Sequence, residues 1–375
     1  MYKIFEFYLL SFAVIILQLL FLSLLKEFSL DFIKYIEIST LSQIIISGFG
    51  TMQFYFTKEK KKFLLSLNSY FISFILFTVF LLSLFYLYQS IKYFLLFITS
   101  VGAMIVVLIN AGIFARFNFQ RINTYYAFII IIIKFSILYY AYWYKLDFFN
   151  TLIVINVIII ISIFMFNLKL NLNESGFSFM SLVNNFFGSG VTTVDKLYCN
   201  KFLQNIAVNY FIIYRIASFF QYLTEVIFRK ERFEITSGKK VINYAIVFFK
   251  FIFCLFLILL VYFFLQNLSF IENILTHYKF NLASSVLQIA QHYSLSIFLI
   301  SLGFLINSIA GLKYDYIYNY YSKKKLIYIN LLNFLLFLFL IFLSTSIIQL
   351  SYSFLIVQIF NYVLVSGYYY RVKNL

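Results

Sequence analysis

Apolar residues run along this chain in blocks of about twenty, separated by short polar joints. The blocks lie at roughly 4–25, 30–54, 64–88, 93–115, 124–143, 149–168, 176–194, 203–228, 241–265, 283–311, 326–345 and 348–370. A helix needs about 20 apolar residues to cross a bilayer, and lipid leaves helices or closed barrels as the only spanning structures. The pattern therefore predicts an all-α protein of about twelve transmembrane helices. The least apolar blocks are the second, which holds Lys34 and Glu37, and the seventh, which is rich in Asn, Gly and Thr.

Polar residues inside the blocks are not scattered. At 3.6 residues per turn, Ser181, Asn184, Gly188, Thr192 and Asp195 fall on one face of the seventh block. Tyr214, Ser218, Gln221 and Glu225 do the same on the eighth, with Arg215 beside them. Such residues are costly in hydrocarbon and normally turn to a bundle interior or a water-filled cavity. Two adjacent helices are thus expected to line one polar compartment. Each stripe residue alone also fits helix packing, where Ser, Asn and Gly are common.

A second regularity spans the chain. Thr57-Lys58-Glu59-Lys60-Lys61 sits between apolar blocks as Thr236-Ser237-Gly238-Lys239-Lys240 does, 179 residues later, and at that offset Tyr35 meets Tyr214 and Ser39 meets Ser218. The halves, 1–170 and 171–375, read as diverged copies of one six-helix unit. Internal repeats of this kind are common in secondary transporters.

Composition sharpens the class. Of 375 residues 63% are hydrophobic and 11% charged, with a mean hydropathy of +0.94, a balance that no soluble core can hide. The 53 Phe and 33 Tyr fit the residue bias of an AT-rich genome as well as an interfacial role for aromatics. The net charge of +16 does not point to nucleic acid, because the basic residues gather in the joints. With twelve spans, 19 Lys and Arg fall on the side of the termini and 6 on the other, while Lys34, Lys134, Arg215 and Lys250 lie within spans. The positive-inside rule then puts both termini in the cytoplasm. The segment from Tyr2 to Leu25 has no small-residue cleavage site and reads as an uncleaved first helix.

Candidate chemistry follows from the buried charges. Lys134 is about ten residues from either end of its block, roughly 15 Å, which is deep for snorkelling. Lys134 and Arg215 either face a polar cavity or make a structural ion pair or backbone contact. Lys34 and Lys250, nearer helix ends, are expected to snorkel. Glu225 and Arg229 are spaced as a local i,i+4 pair, and Asp195-Lys196 closes the seventh block as an interface anchor or a gate. His277 and His292 read as ordinary polar residues near helix ends, and Cys199 and Cys254 are too isolated for a metal site or disulfide framework. The stretch Ser269 to Leu275 has the makings of a short interfacial helix. There is no phosphate-cradling Gly-rich loop, metalloprotease motif or nucleophile–base pair in the sequence, so neither an enzyme nor a cofactor is expected.

Asp195-Lys196 at the end of the seventh span, Val208-Asn209-Tyr210 and Tyr214-Arg215 in the next, and the closing Lys-rich loop and helix pair from Ser301 to Lys373 resemble the polysaccharide transporters. These are the O-antigen and lipid-linked oligosaccharide flippases of the multidrug/oligosaccharidyl-lipid/polysaccharide exporter superfamily. The chain departs from that pattern in having no Pro and few Gly. The resemblance implies two six-helix lobes around a central cavity in the bacterial cytoplasmic membrane. It further implies an undecaprenyl-pyrophosphate-linked oligosaccharide as substrate. Lys134 and Arg215 would meet the anionic head group, with Asn184, Asn185, Thr192, Ser218 and Gln221 on sugar hydroxyls and Glu225 or Asp195 in ion coupling. Partners would be membrane lipids and the polysaccharide polymerase and chain-length machinery. Two rivals share the composition: a polysaccharide polymerase or ligase, which usually carries a large periplasmic loop absent here, and a drug exporter, expected to carry deep acidic residues in its first half.

Overall fold

The structure, a computed structural model, describes residues 2–47, 53–57, 62–66, 69–116, 120–162, 168–171, 179–236, 242–268, 281–321 and 323–373. It divides into two compact units, Met1–Ser189 and Gly190–Leu375. The interfacial helix expected at Ser269 to Leu275 and the basic residues of the loops at 58–61 and 237–241 lie outside the described residues.

The first unit contains α1 (Tyr2–Glu27), α2 (Ser29–Ser47), α3 (Ser69–Gln89), α4 (Ile91–Arg116), α5 (Gln120–Trp143) and α6 (Phe148–Ile161). Helix α1 packs on α5, while α4 packs on α2, α3 and α6. Phe32, Ile36, Tyr86, Leu96 and Phe97 are fully buried where α2, α3 and α4 meet. Three short strands, β1 (Gln53–Thr57), β2 (Lys62–Ser66) and β3 (Leu168–Asn171), interrupt the all-α expectation. β1 and β2 form an antiparallel hairpin in which Thr57 meets Lys62, and β3 joins β2 in parallel. The hairpin takes residues from both apolar blocks flanking it, and the described helices on either side are α2, to Ser47, and α3, from Ser69. The alternation Phe54, Phe56 and then Phe63, Leu65 suits the two-residue period of strands.

Local signals explain how these helices end. α5 stops in a Schellman motif: Leu146 N–H donates to Ala141 O at 2.9 Å, Lys145 N–H donates to Tyr142 O at 3.3 Å, and Lys145 has φ 51°. That left-handed backbone costs a non-glycine residue about 1–2 kcal/mol, and the two hydrogen bonds offset it. Asp147 then caps α6, its carboxylate accepting from Asn150 N–H at 2.9 Å.

The second unit begins near the end of α7 (Phe179–Gly190) and contains α8 (Val194–Phe202), α9 (Gln204–Thr236), α10 (Tyr244–Gln266), α11 (Asn281–His292), α12 (Ser294–Tyr320), α13 (Lys323–Phe342) and α14 (Ile347–Lys373). α12 is its centre, packed against α9, α10 and α14. Phe228, Leu305, Leu312, Ile317, Leu326, Val365 and Tyr369 form its core.

Two blocks expected as single helices are broken. The seventh ends at Gly190, and Val191 to Thr193 turn the chain before α8. Gly190 is required by packing: a Cβ there would stand 2.6 Å from the Phe334 ring. β-branched Val191, Thr192 and Thr193 then disfavour continuation. The tenth breaks at Tyr293, yet Tyr293 N–H still reaches Ile289 O and Ile297 N–H still reaches Tyr293 O. The junction between α3 and α4 behaves alike, with Ser90 N–H on Tyr86 O and Phe94 N–H on Ser90 O.

Among the described residues six helices are long and apolar enough to cross a membrane: Tyr125–Trp143, Gln204–Phe228, Tyr244–Gln266, Ser294–Tyr318, Lys325–Phe342 and Ile347–Val372. The protein is a helical membrane protein. Exposed Phe74, Phe77 and Phe80 on α3, and Phe249, Phe256 and Phe263 on α10, are the apolar surface that a bilayer covers.

Candidate functional site

Asp195, Lys196, Tyr210 and Tyr214 gather where α8 meets α9. Asp195 occupies the first turn of α8 and is completely buried. A carboxylate there benefits from the free N–H groups of the helix start. One oxygen accepts Lys196 N–H at 2.9 Å and the Lys196 ammonium at 3.3 Å, and the other accepts the Tyr210 hydroxyl at 2.6 Å. The Lys196 ammonium also donates to Thr192 O and lies 3.4 Å from the centre of the Tyr214 ring. Tyr214 is held edge-on by Phe304 at 5.5 Å and Phe354 at 5.8 Å. α8 lies outside the six candidate spans. There burial pushes the Lys196 ammonium down to about 8, opposed by the attraction of Asp195 and aided by repulsion from Arg215.

This arrangement corrects three expectations. Asp195 does not continue the α7 stripe, because the turn after Gly190 puts it on a separate helix. Lys196, expected with Asp195 at the outer end of the seventh block, is only 4% exposed. Tyr214, expected on the polar stripe, is instead buried, its ring packed against Phe304 of α12, Phe354 of α14 and the Lys196 ammonium.

Arg215, the next residue, is the opposite case. It is exposed, about 16 Å along the span from Gln204 and about 20 Å from Phe228 at 1.5 Å per residue. Its guanidinium lies 5.2 Å from the Phe211 ring on its own helix. Among the described residues no carboxylate is within ion-pair distance of it. Ser218, one turn on, is half-buried and donates to Arg215 O at 2.8 Å. Gln221 is half-buried on the same helix and its carbonyl accepts from Thr224, which also bonds Ser308 at 2.8 Å. Thr192, in the turn before α8, is half-buried.

The remaining candidates are dispersed. Asn184 is buried in α7, within the first unit. Lys134 is half-buried on α5 with its ammonium 6.0 Å from the Phe21 ring of α1. The side chains of Asn185, Glu225 and Arg229 lie outside the described residues, so the expected Glu225–Arg229 pair does too.

The other span cations are paired rather than snorkelling. Lys250 donates to both Glu231 oxygens at 2.6 and 2.7 Å and to Ile227 O at 2.8 Å. Lys34 pairs with Glu37 at 3.2 Å and lies over the rings of Tyr86 and Tyr93, while the Tyr86 hydroxyl donates to Glu37 at 3.2 Å. Lys34 and Glu37 stand out in sequence as charges within an apolar block, but nothing local points to Tyr86, 49 residues from Glu37. His292 ends α11 with its ring edge-on to Tyr293, His277 lies outside the described residues, and Cys199 and Cys254 are buried free thiols. No family model matches the chain, and neither does any curated protein or solved structure.

Proposed function

We propose that the protein is a flippase that carries undecaprenyl-pyrophosphate-linked oligosaccharide units across the bacterial cytoplasmic membrane for surface polysaccharide synthesis. In this reading the chain crosses twelve times with both termini cytoplasmic. The observation that carries it is Arg215. A guanidinium at mid-span is expensive in hydrocarbon and is retained where it faces water or an anion. Lys34, Lys196 and Lys250 each have a carboxylate, whereas Arg215 is exposed with none among the described residues. A diphosphate matches it, because guanidinium forks bind phosphate oxygens in bidentate fashion.

Ser218 and Gln221 follow Arg215 along α9 and offer hydroxyl and amide groups to sugars, as do Thr192, Asn184 and Asn185 in their own segments. Lys134, in the first unit, is a cation that the resemblance assigns to an anionic head group. Asp195, bonded to Tyr210 and Lys196, and Glu225 are the acidic groups assigned to ion coupling. The resemblance in sequence supports the same substrate class.

The test is transport of a fluorescent lipid-linked oligosaccharide in proteoliposomes. Arg215→Ala should lower the rate by about tenfold or more, the worth of one charge-assisted contact, and Arg215→Lys should keep an intermediate rate. A parallel readout uses single cysteines in a background lacking Cys199 and Cys254. A water-soluble thiol reagent should label positions 215, 218 and 221, and added substrate should slow it. Wild-type transport by Arg215→Ala would overturn the head-group role. Labelling without any transport of the oligosaccharide would shift the reading to an exporter of another anion.

A further inference from the structure

Lys313 is not among the four basic residues that the sequence places within spans, but it lies inside α12 and is only 4% exposed. Its ammonium donates to Ser366 Oγ at 2.7 Å and to the Tyr362 hydroxyl at 3.2 Å, both on α14. It also lies 4.3 Å from the Tyr362 ring centre and 5.2 Å from that of Tyr370. Among the described residues no carboxylate pairs with it. The nearest acid in sequence, Asp315, faces Arg232 at 3.8 Å instead. Two neutral hydroxyls and two ring faces solvate the ammonium but do not neutralise it, and a buried charge without a counter-ion costs several kcal/mol.

The missing anion has a place to come from. Lys313 lines a cavity of about 500 Å³ bounded by α10, α12 and α14, within the size range of ligand sites. Val247, Phe248, Phe251, Ile306, Ile309 and Ile359 make its apolar wall. Phe248 and Ile359 are also exposed, so the cavity opens at the surface of the unit. The surface beside that opening is the face of α10 carrying Phe249, Phe253 and Phe256, all exposed on a helix apolar enough to span. An occupant entering there comes from the bilayer. Lys313 is seven residues, about 10 Å, from the α12 end at Tyr320 and so lies nearer an end of this helix than its middle.

We propose that this cavity is a binding site for a monoanionic membrane phospholipid of the phosphatidylglycerol type. Its phosphate meets the Lys313 ammonium and the Tyr362 and Ser366 hydroxyls, and one acyl chain lies along the Ile306–Ile309 and Val247–Phe251 walls. The site is separate from Arg215 and does not depend on the transport reading.

Native mass spectrometry of the purified full chain tests this with added phosphatidylglycerol, phosphatidylethanolamine and undecaprenyl phosphate. Wild type should retain one phosphatidylglycerol in preference to phosphatidylethanolamine. Lys313→Met should weaken that retention about tenfold or more, and Lys313→Arg should keep most of it. Ile309→Trp, which fills the cavity and leaves the cation in place, should also displace the lipid, giving an independent readout if Lys313→Met folds poorly. Equal retention by wild type and both disruptive variants would overturn the site. Preference for undecaprenyl phosphate would assign it to substrate instead, and a dimer lost with Ile309→Trp would assign it to a second copy of the chain.

Discussion

Each unit buries one carboxylate held by a lysine and a tyrosine hydroxyl, but at different depth. In the first unit Glu37 accepts from Lys34 and Tyr86, both at 3.2 Å, and the Lys34 side chain keeps 20% exposure. In the second Asp195 accepts from Tyr210 at 2.6 Å, from a backbone N–H at 2.9 Å and from Lys196 at 3.3 Å, and side-chain exposures fall to 0% and 5%. The two clusters do not occupy repeat-equivalent positions: at the 179-residue offset Lys34 corresponds to Ile213 and Glu37 to Ile216. The shared chemistry is therefore a common solution to burying a charge among aromatic rings, reached from different scaffolds. Lys34 and Glu37 pair along one helix at i,i+3, the spacing that brings side chains together. Asp195 and Lys196 are adjacent in sequence, and Lys196 folds back over Tyr214 and onto Thr192 O while its ammonium stays 3.3 Å from the Asp195 carboxylate.

If burial sets the difference, removing the deeper carboxylate does more damage. Asp195→Ala leaves an ammonium and a hydroxyl without their acceptor and should destabilise the second unit by about 3–5 kcal/mol. Glu37→Ala should cost about 1–3 kcal/mol, because Lys34 can extend toward water. Unfolding in mixed micelles under denaturant titration measures both, and equal losses would break the comparison. The double variant Asp195→Asn with Lys196→Met should recover much of the loss, since a missing partner costs more than a missing pair.

The tyrosines refine the same contrast at smaller scale. Tyr210→Phe gives up a short bond to a fully buried carboxylate and should cost about 1.5–3 kcal/mol. Tyr86→Phe gives up a longer one and should cost less than about 1.5 kcal/mol. The reverse order would mean that ring packing, not the hydroxyl, decides at Tyr210.

Helix positions were legible because lipid imposes one rule on every span, and each of the twelve apolar blocks contains a helix. Breaks were less legible. The β-branched run Val191 to Thr193 after Gly190 is a local signal, but the need for glycine at 190 comes from the Phe334 ring, 144 residues away, which no local pattern announces. Hydrophobic periodicity marks Arg215, Ser218 and Gln221 on one stretch of α9, where Arg215 is exposed and Ser218 and Gln221 are half-buried. It misassigned Tyr214, because a tyrosine on a polar stripe and one under an aromatic cluster look alike in sequence. Lys196 and Lys313 fall outside the apolar blocks in sequence for a related reason. A lysine near a span end reads as solvated until its partners Asp195, Tyr362 and Ser366 are seen.

An exposed pair gives the weakest effect. Lys92 and Asp147 meet at 2.5 Å between α4 and the start of α6, with both side chains more than a third exposed. The hydrogen bond from Lys92 holds the Asp147 carboxyl below its ordinary range against a modest opposing effect of burial, and the Asn150 N–H helps. With the folded value lowered, the contribution of Asp147 is present above the unfolded value near pH 4 and is lost as pH falls through the folded one. Thermal midpoints of wild type and Asp147→Asn should therefore differ slightly at neutral pH and converge in acid. Raised salt should shrink the difference. Convergence above pH 5 would mean that the pair is open in solution.

The breaks at Ser90 and Tyr293 are made without proline, and the backbone donors around them stay on carbonyls four residues back. One consequence concerns time rather than stability. Prolyl isomerisation, which takes tens to hundreds of seconds in most chains of this length, has no place in the maturation of this protein. Any refolding phase on that scale must come from inserting helices or assembling a unit, and a prolyl isomerase should leave its rate unchanged.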